Sequence, residues 1–272
     1  MSWDRDVVLK SPAEIEIMKE AGHINALALE EVRKNIKPGV TTAKLNQIAE
    51  QVIRDHGATP AFLNYPGPYP YPATINASVN EELVHGLPSE KRALREGDIF
   101  SVDCGTVFKG FVGDSAFTVG IGKISPEAQK LIDVTEQALR IGIDKMRMGN
   151  HIGDVSAAIQ GWVEGNGYHV PREYSGHGIG RRMHEGPQVL NYGTPGKGLK
   201  LQPGVTIALE PMVLVGTPHT RVLADRWTVT SADRSLTAHF EHTVAVTDGD
   251  PLILTQENGL PKATLGLDGN KE

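Results

Sequence analysis

Four acidic residues stand in runs that otherwise read as buried strand. Asp103 follows Ile99-Phe100-Ser101-Val102, Asp114 follows Phe111-Val112-Gly113, Glu210 follows Ile207-Ala208-Leu209, and Glu241 precedes His242-Thr243-Val244-Ala245-Val246. One such acid alone reads as a strand-end residue reaching solvent. Four together need a shared explanation, because a buried carboxylate is costly unless it is paired, hydrogen-bonded or bound to a cation. No lysine or arginine interrupts these runs, so a divalent metal is the economical partner. The stretch Gly176-His177-Gly178-Ile179-Gly180-Arg181-Arg182-Met183-His184-Glu185-Gly186-Pro187 adds two histidines, of which His177 is the better ligand candidate. Taken alone, it reads more readily as a polar turn residue with its hydrogen bonds met. The glycine spacing also invites a nucleotide-loop reading, but Arg181 to Pro187 leads into more glycine rather than a helix whose N-terminus could hold phosphate.

The elements that must position these residues come in two sets. Gly97-Asp98-Ile99-Phe100-Ser101-Val102-Asp103 matches Gly204-Val205-Thr206-Ile207-Ala208-Leu209-Glu210 at an offset of 107, each a turn glycine leading a strand that ends in a carboxylate. Two such strands related by a pseudo-two-fold axis would present Asp103 and Glu210 to one interior from opposite sides. The helices repeat as well. Ser11-Pro12-Ala13-Glu14 is a capping box opening a helix with Met18, Ala21, Asn25, Ala28 and Val32 on one face, Asn25 being a polar intruder, and Lys37-Pro38-Gly39 closes it. A second helix, capped by Thr41 or Thr42, ends at His56-Gly57; a third starts at Ser125-Pro126 and ends near Met148-Gly149; a fourth carries Val155 to Val163 and ends at Asn166-Gly167. At an offset of 110, Gly39 falls on Gly149, Val52 on Trp162 and Gly57 on Gly167.

The expected fold is therefore α+β: one catalytic domain over residues 1–272, in halves of about 12–122 and 123–250 with short terminal tails. Each half carries helices over a curved, mostly antiparallel sheet, and the halves meet at a central site. The formal net charge of -6 argues against general nucleic-acid binding. Cys104, the single cysteine, excludes an internal disulfide and a thiolate zinc knuckle and fits a reducing cytoplasm. No apolar run approaches a membrane span, the N-terminus lacks the order of a signal peptide, and nothing requires more than a monomer.

The ordered set His85-Gly86, Asp103-x-Gly105, Gly113-Asp114, His177-Gly178-Ile179-Gly180, Glu210-Pro211-Met212, Asp225 to Thr230 around Trp227, and Phe240-Glu241-His242-Thr243 resembles the type I methionine aminopeptidases of the pita-bread fold, in their compact bacterial form. The resemblance runs from Ser11 to about Leu254. It implies two divalent ions (cobalt, manganese, iron or zinc), bridged by Asp114 and Glu241, with Asp103 completing one and His177 with Glu210 the other. A hydroxide shared by the ions would attack the first peptide carbonyl, with Glu210 carrying the proton to the leaving amine. His184 would stabilise the oxyanion, and His85 would hydrogen-bond the scissile amide.

The implied substrate is the initiator methionine of newly made proteins with a small second residue, the ribosome being a transient neighbour. Phe62, Tyr71, Asn76, Met183 and Trp227 would form the methionine pocket, with Tyr65 nearby. Asn76 stands where cysteine is frequent and Met183 where phenylalanine is frequent, and the Tyr65 to Pro72 loop is one residue longer than in compact relatives. That loop reads either as a stiff proline-rich surface loop or as a flap lining the pocket. Three rivals remain. Xaa-Pro aminopeptidases and prolidases share the ligand types but usually add an N-terminal domain. A non-catalytic polypeptide-binding relative would have lost ligands. A glycosidase needs only two acids and leaves the histidines unexplained.

Overall fold

The structure, a computed structural model, describes residues 7–256. Helix α1 (Pro12–Asn35) opens with the expected capping box: Ser11 Oγ accepts from the Glu14 backbone N–H, and the Ser11 N–H donates back to Glu14. It stops at Asn35 because Pro38 disfavours helix just upstream, and Ile36 is already extended. Thr41 caps α2 (Thr42–Asp55), Ser125 caps α3 (Pro126–Lys145), and α4 (Ile152–Gly165) follows His151. Helix α3 ends earlier than its apolar pattern predicts, since Met146 leaves helical geometry and is fully buried. Among the described residues, no helix is long and apolar enough to cross a membrane.

The first half supplies strands β1 (Thr59–Pro60), β2 (Ile75–Val79), β3 (Glu82–Val84), β4 (Ile99–Phe108) and β5 (Phe111–Gly120). The second supplies β6 (Ser175–Gly178), β7 (Glu185–Leu190), β8 (Thr206–Leu209), β9 (Met212–Leu214), β10 (Thr220–Val222), β11 (Val229–Ser231), β12 (Thr237–His239), β13 (Glu241–Ala245) and β14 (Leu252–Ile253). The main sheet runs β1-β4-β5-β13-β8-β6-β7, with β2 added on β4 and β14 on β13, all antiparallel. Strands β4 and β8 start at Ile99 and Thr206, as the offset of 107 requires. They differ at their ends. Strand β4 continues through Asp103 to Phe108, whereas β8 stops at Leu209, one residue before Glu210-Pro211, because proline cannot donate to the ladder.

Register decides which face the acids share. Asp103 pairs with Ala116, and Ala116 pairs with Glu241, so these three form one row across the sheet. Asp114 lies two residues before Ala116 and therefore points the same way. A second row, Thr243–Ala208–His177, sits two residues along β13 and puts His177 on that face too, with Glu210 two residues beyond Ala208. The opposite face carries the helices. There the intruder Asn25 accepts from Thr106 Oγ1 at 2.9 Å and donates to Ser115 Oγ at 2.8 Å, tying α1 to β4 and β5. A Cβ at Gly113 would lie 2.6 Å from the Gly22 backbone nitrogen, so this pair of glycines lets the helix backbone rest on the strand.

Candidate metal centre

The four acids and His177 meet at the bottom of one cavity of about 300 Å³. Asp114, His177 and Glu241 each offer a ligand atom within 4.8 Å of the others, and so do Glu210, His239 and Glu241. His177 Nε2 lies 3.7 Å from Glu210 Oε1. Its Nδ1 lies 2.9 Å from the Gly178 carbonyl, which fixes the tautomer with Nε2 bare toward the acids, the form a metal ligand needs. Thr243 Oγ1 accepts from the Asp114 N–H and donates to its carbonyl, both at 2.9 Å, closing the gap where β13 and β5 pair only briefly.

Burial sets the electrostatics. Asp103 is pushed up to about 6, first by desolvation, with the neighbouring Glu210 charge adding and His239 and Asn76 opposing. Asp114 and Glu241 are pushed well above the carboxylate range by burial and then by the surrounding acids, and Glu210 is raised by burial. His177 falls to about 3 and His85 to about 4, in both cases by burial and then by the nearby His184, which is itself lowered by burial. The cluster is thus several crowded acids beside neutral imidazoles, short of positive charge. The one buried lysine among the described residues, Lys10, pairs instead with Glu185 at 2.5 Å. Asp103 Oδ1, Asp114 Oδ1, Glu241 Oε1 and His239 Nε2 are buried with no hydrogen-bond partner among the described residues. Orphaned acceptors converging from several strands fit divalent cations, which take carboxylate oxygen and imidazole nitrogen together.

The rim is built from loops. Phe62, Tyr65, Tyr71, Met183 and Trp227 pack together as the apolar wall, and His85 and His184 face the same cavity. Tyr71 donates its hydroxyl to the carbonyls of Ile75 and Gly86, holding the loop against β2. Trp227 is set by Asp225, whose Oδ1 accepts from the N–H groups of Trp227 and Thr228. A Cβ at Gly67 would strike the Trp227 ring, so the proline-rich loop lies directly on the pocket wall, as a flap does. His85 adopts φ 60, an uncommon left-handed conformation, with its ring edge-on to Tyr174 and Trp227. His184 Nδ1 lies 2.5 Å from the Tyr65 hydroxyl, and its ring centroid lies 4.2 Å from that of His177.

Every candidate metal, catalytic and pocket residue named from the sequence therefore borders this one cavity. Asn76 does so in a different manner from a simple wall residue: it pairs with Asp103 across β2 and β4 and donates Nδ2 to Asp103 Oδ2 at 2.6 Å. The sequence reading missed His239, which is 2% exposed and faces Glu210 and Glu241. The signal was present, because His239 stands two residues before Glu241 and strand alternation aims both the same way. It also missed Tyr174 and Gln188 at the rim, for which no periodic signal exists.

The family model for metallopeptidase family M24 matches residues 16–248. The methionine aminopeptidase of Clostridium acetobutylicum is 49% identical over 249 residues, covering 92% of this chain and 98% of the relative. The crystal structure of a methionine aminopeptidase from Thermotoga maritima superposes with a TM-score of 0.90 at 44% identity, covering 92% of this chain and all of that one. A prolidase from Pyrococcus furiosus, at 20% identity and a TM-score of 0.75, shares the fold alone and is covered over only 66% of its length. The architecture is the pita-bread fold, with metal-dependent hydrolysis as the chemistry of its class. From its sequence and from its fold, the chain belongs to the methionine aminopeptidases of metallopeptidase family M24.

Proposed function

We propose that this protein hydrolyses the first peptide bond of polypeptides that begin with methionine, preferring a small second residue, at a centre of two divalent ions. The observation that carries this reading is the set of unpartnered acid oxygens on one sheet face, at the floor of an apolar-walled cavity of about 300 Å³. Four carboxylates and one neutral imidazole nearly balance two divalent charges. Asp114 and Glu241, central in the cluster, would be shared between the ions, with Asp103 completing one side and His177 with Glu210 the other. Manganese, iron, cobalt and zinc all suit this donor set. When bound, such ions polarise a carbonyl and make water a nucleophile near neutral pH.

The chain's own groups do the rest. Glu210 is the least buried of the four acids and borders the cavity, which suits it to take a proton from the attacking water and pass it to the leaving amine. Burial keeps the Tyr65 hydroxyl protonated, and with that hydroxyl donating to His184 Nδ1 the His184 proton would sit on Nε2, the donor an oxyanion needs. His85 would hydrogen-bond the scissile amide. Phe62, Tyr71, Met183 and Trp227 form a narrow apolar slot that fits an unbranched thioether. Newly made chains are the natural carriers of an N-terminal methionine, which makes the ribosome a transient neighbour.

The test is methionine release from a Met-Ala-Ser peptide by metal-stripped protein titrated with manganese or cobalt, beside an Ala-Pro dipeptide. The expected result is methionine release that appears only with metal. Cleavage of Ala-Pro alone would move the chain to prolidase chemistry, and silence on both with metal bound would leave a polypeptide binder.

A further inference from the structure

His239 ends β12 and is held at both ends of its peptide unit by one side chain on β5. Its N–H donates to Thr118 Oγ1 at 2.9 Å, and its carbonyl accepts from the same hydroxyl at 2.8 Å. Pairing of His239 with Met212 on β9 fixes the strand from the other side. The ring therefore has little freedom, and its Nε2 lies 3.4 Å from Glu210 Oε2 and 3.9 Å from Glu241 Oε2. That nitrogen is buried and has no hydrogen-bond partner among the described residues. Glu210 is thus bracketed, with His177 beside Oε1 and His239 beside Oε2. With both acids charged, the imidazole nitrogen facing them would carry the proton, and 3.4 Å is only a small side-chain shift from hydrogen-bond range.

We propose that His239 is a positioning residue of the metal centre: its Nε2–H holds Oε2 of Glu210, leaving Oε1 turned to the His177 side. The proposal rests on the reading of Glu210 as a ligand and proton carrier. Metal-ligating carboxylates are oriented by groups behind them, and losing such a group typically weakens metal binding about 10- to 100-fold. A carboxylate free to rotate would also misdirect its proton transfer.

The experiment compares two amides that differ in reach. His239→Gln places an N–H donor about where Nε2 lies, and His239→Asn falls one methylene short. Manganese binding to the full-length protein is measured by calorimetry, and kcat and KM are measured on Met-Ala-Ser. His239→Asn is expected to weaken manganese binding and lower kcat, each about tenfold or more, with KM little moved. His239→Gln is expected to keep both within about threefold of the unmodified protein, since the donor survives. Equal damage by both variants would overturn the proposal and point to direct ligation by the imidazole. Unchanged metal binding and kcat in His239→Asn would overturn it as well. Glu210→Gln in the same series separates the two readings: if it binds metal and turns over normally, the role of Glu210 fails. If it is impaired while His239→Asn is normal, only the role of His239 fails.

Discussion

The floor of the cavity and its rim are positioned by different means. On the floor, Asp103 and Asp114 sit on ten-residue strands and Glu241 opens β13, and register puts them in adjacent rows on one face. On the rim, Tyr65, Met183, His184 and Trp227 sit outside the named strands, and His85 follows β3, so distant contacts hold them. The loop carrying Met183 and His184 is tied down by residues far away in sequence. Val7 bridges to Gly186, Lys10 pairs with Glu185, and Glu185 also accepts the N–H of Arg182. The floor therefore concentrates like charge that only a cation relieves, while the rim balances its buried charge within the protein. On the proposed reading, chemistry that needs a metal is built into the sheet, and choice of substrate is left to the loops.

Breaking the floor should have the largest effect. Glu241→Gln removes a donor central to the cluster, and turnover should fall on the order of 10³- to 10⁴-fold as metal is lost, read by activity beside calorimetric metal titration. Near-normal activity would mean the acids do not bind metal. The rim responds in the opposite sense. Lys10→Met strands Glu185 as an uncompensated buried carboxylate, which should cost roughly 3–5 kcal/mol of stability in chemical denaturation. Replacing both partners, as Lys10→Met with Glu185→Leu, should recover much of that loss. In the metal-free protein Glu241→Gln should raise stability near pH 8 rather than lower it, because it removes an acid whose charged form is disfavoured by burial.

The contrast also explains what could be read from the chain alone. The acids were legible because a carboxylate inside an apolar strand run is a local anomaly, and the offset of 107 between β4 and β8 tied two of them together. Helix starts were legible through Ser11, Thr41 and Ser125, whose caps are local bonds. The bond from Asn76 to Asp103 was not, since it depends on β2 pairing with β4 across the intervening loop. Nor was the tie from Lys10 to Glu185, which joins residues 175 positions apart. Asn25 looked like a flaw in an apolar stripe and proves to be the bond between α1 and the sheet.

Two further changes lie between floor and wall in the size of their effects. His184→Ala should lower kcat by roughly 10²- to 10³-fold, as removal of the proposed oxyanion donor would, while metal content stays intact. Loss of metal on that change would move His184 from rim to floor. The second effect is pH dependence in the metal-free protein. Asp103 titrates at about 6 when folded, above the roughly 3.9 of an unfolded chain, so the folded state holds its proton longer. The stability this gives is fully present below pH 4 and is lost as pH rises to about 6. Saturating manganese should abolish the decline, because the ion favours the charged form. A flat stability profile between pH 4 and pH 6 without metal would contradict the crowding inferred for the floor.

The smallest effect belongs to the wall. Met183 is partly buried and packs with Phe62, Tyr71 and Trp227, on the same tied loop as His184. Truncating it leaves the floor and both rim histidines in place, so the chemical step should persist. What changes is the fit of the substrate side chain, for which a lost methylene or two in an apolar pocket is worth about 1–3 kcal/mol. Met183→Ala should therefore raise KM for Met-Ala-Ser roughly tenfold with kcat nearly unchanged, and narrow the preference for methionine over bulkier first residues such as phenylalanine. Steady-state kinetics on Met-Ala-Ser and Phe-Ala-Ser read both. A drop in kcat equal to the rise in KM would show that the loop's wall and its oxyanion donor move as one unit. In that case the tie from Lys10 to Glu185 would govern specificity and turnover together.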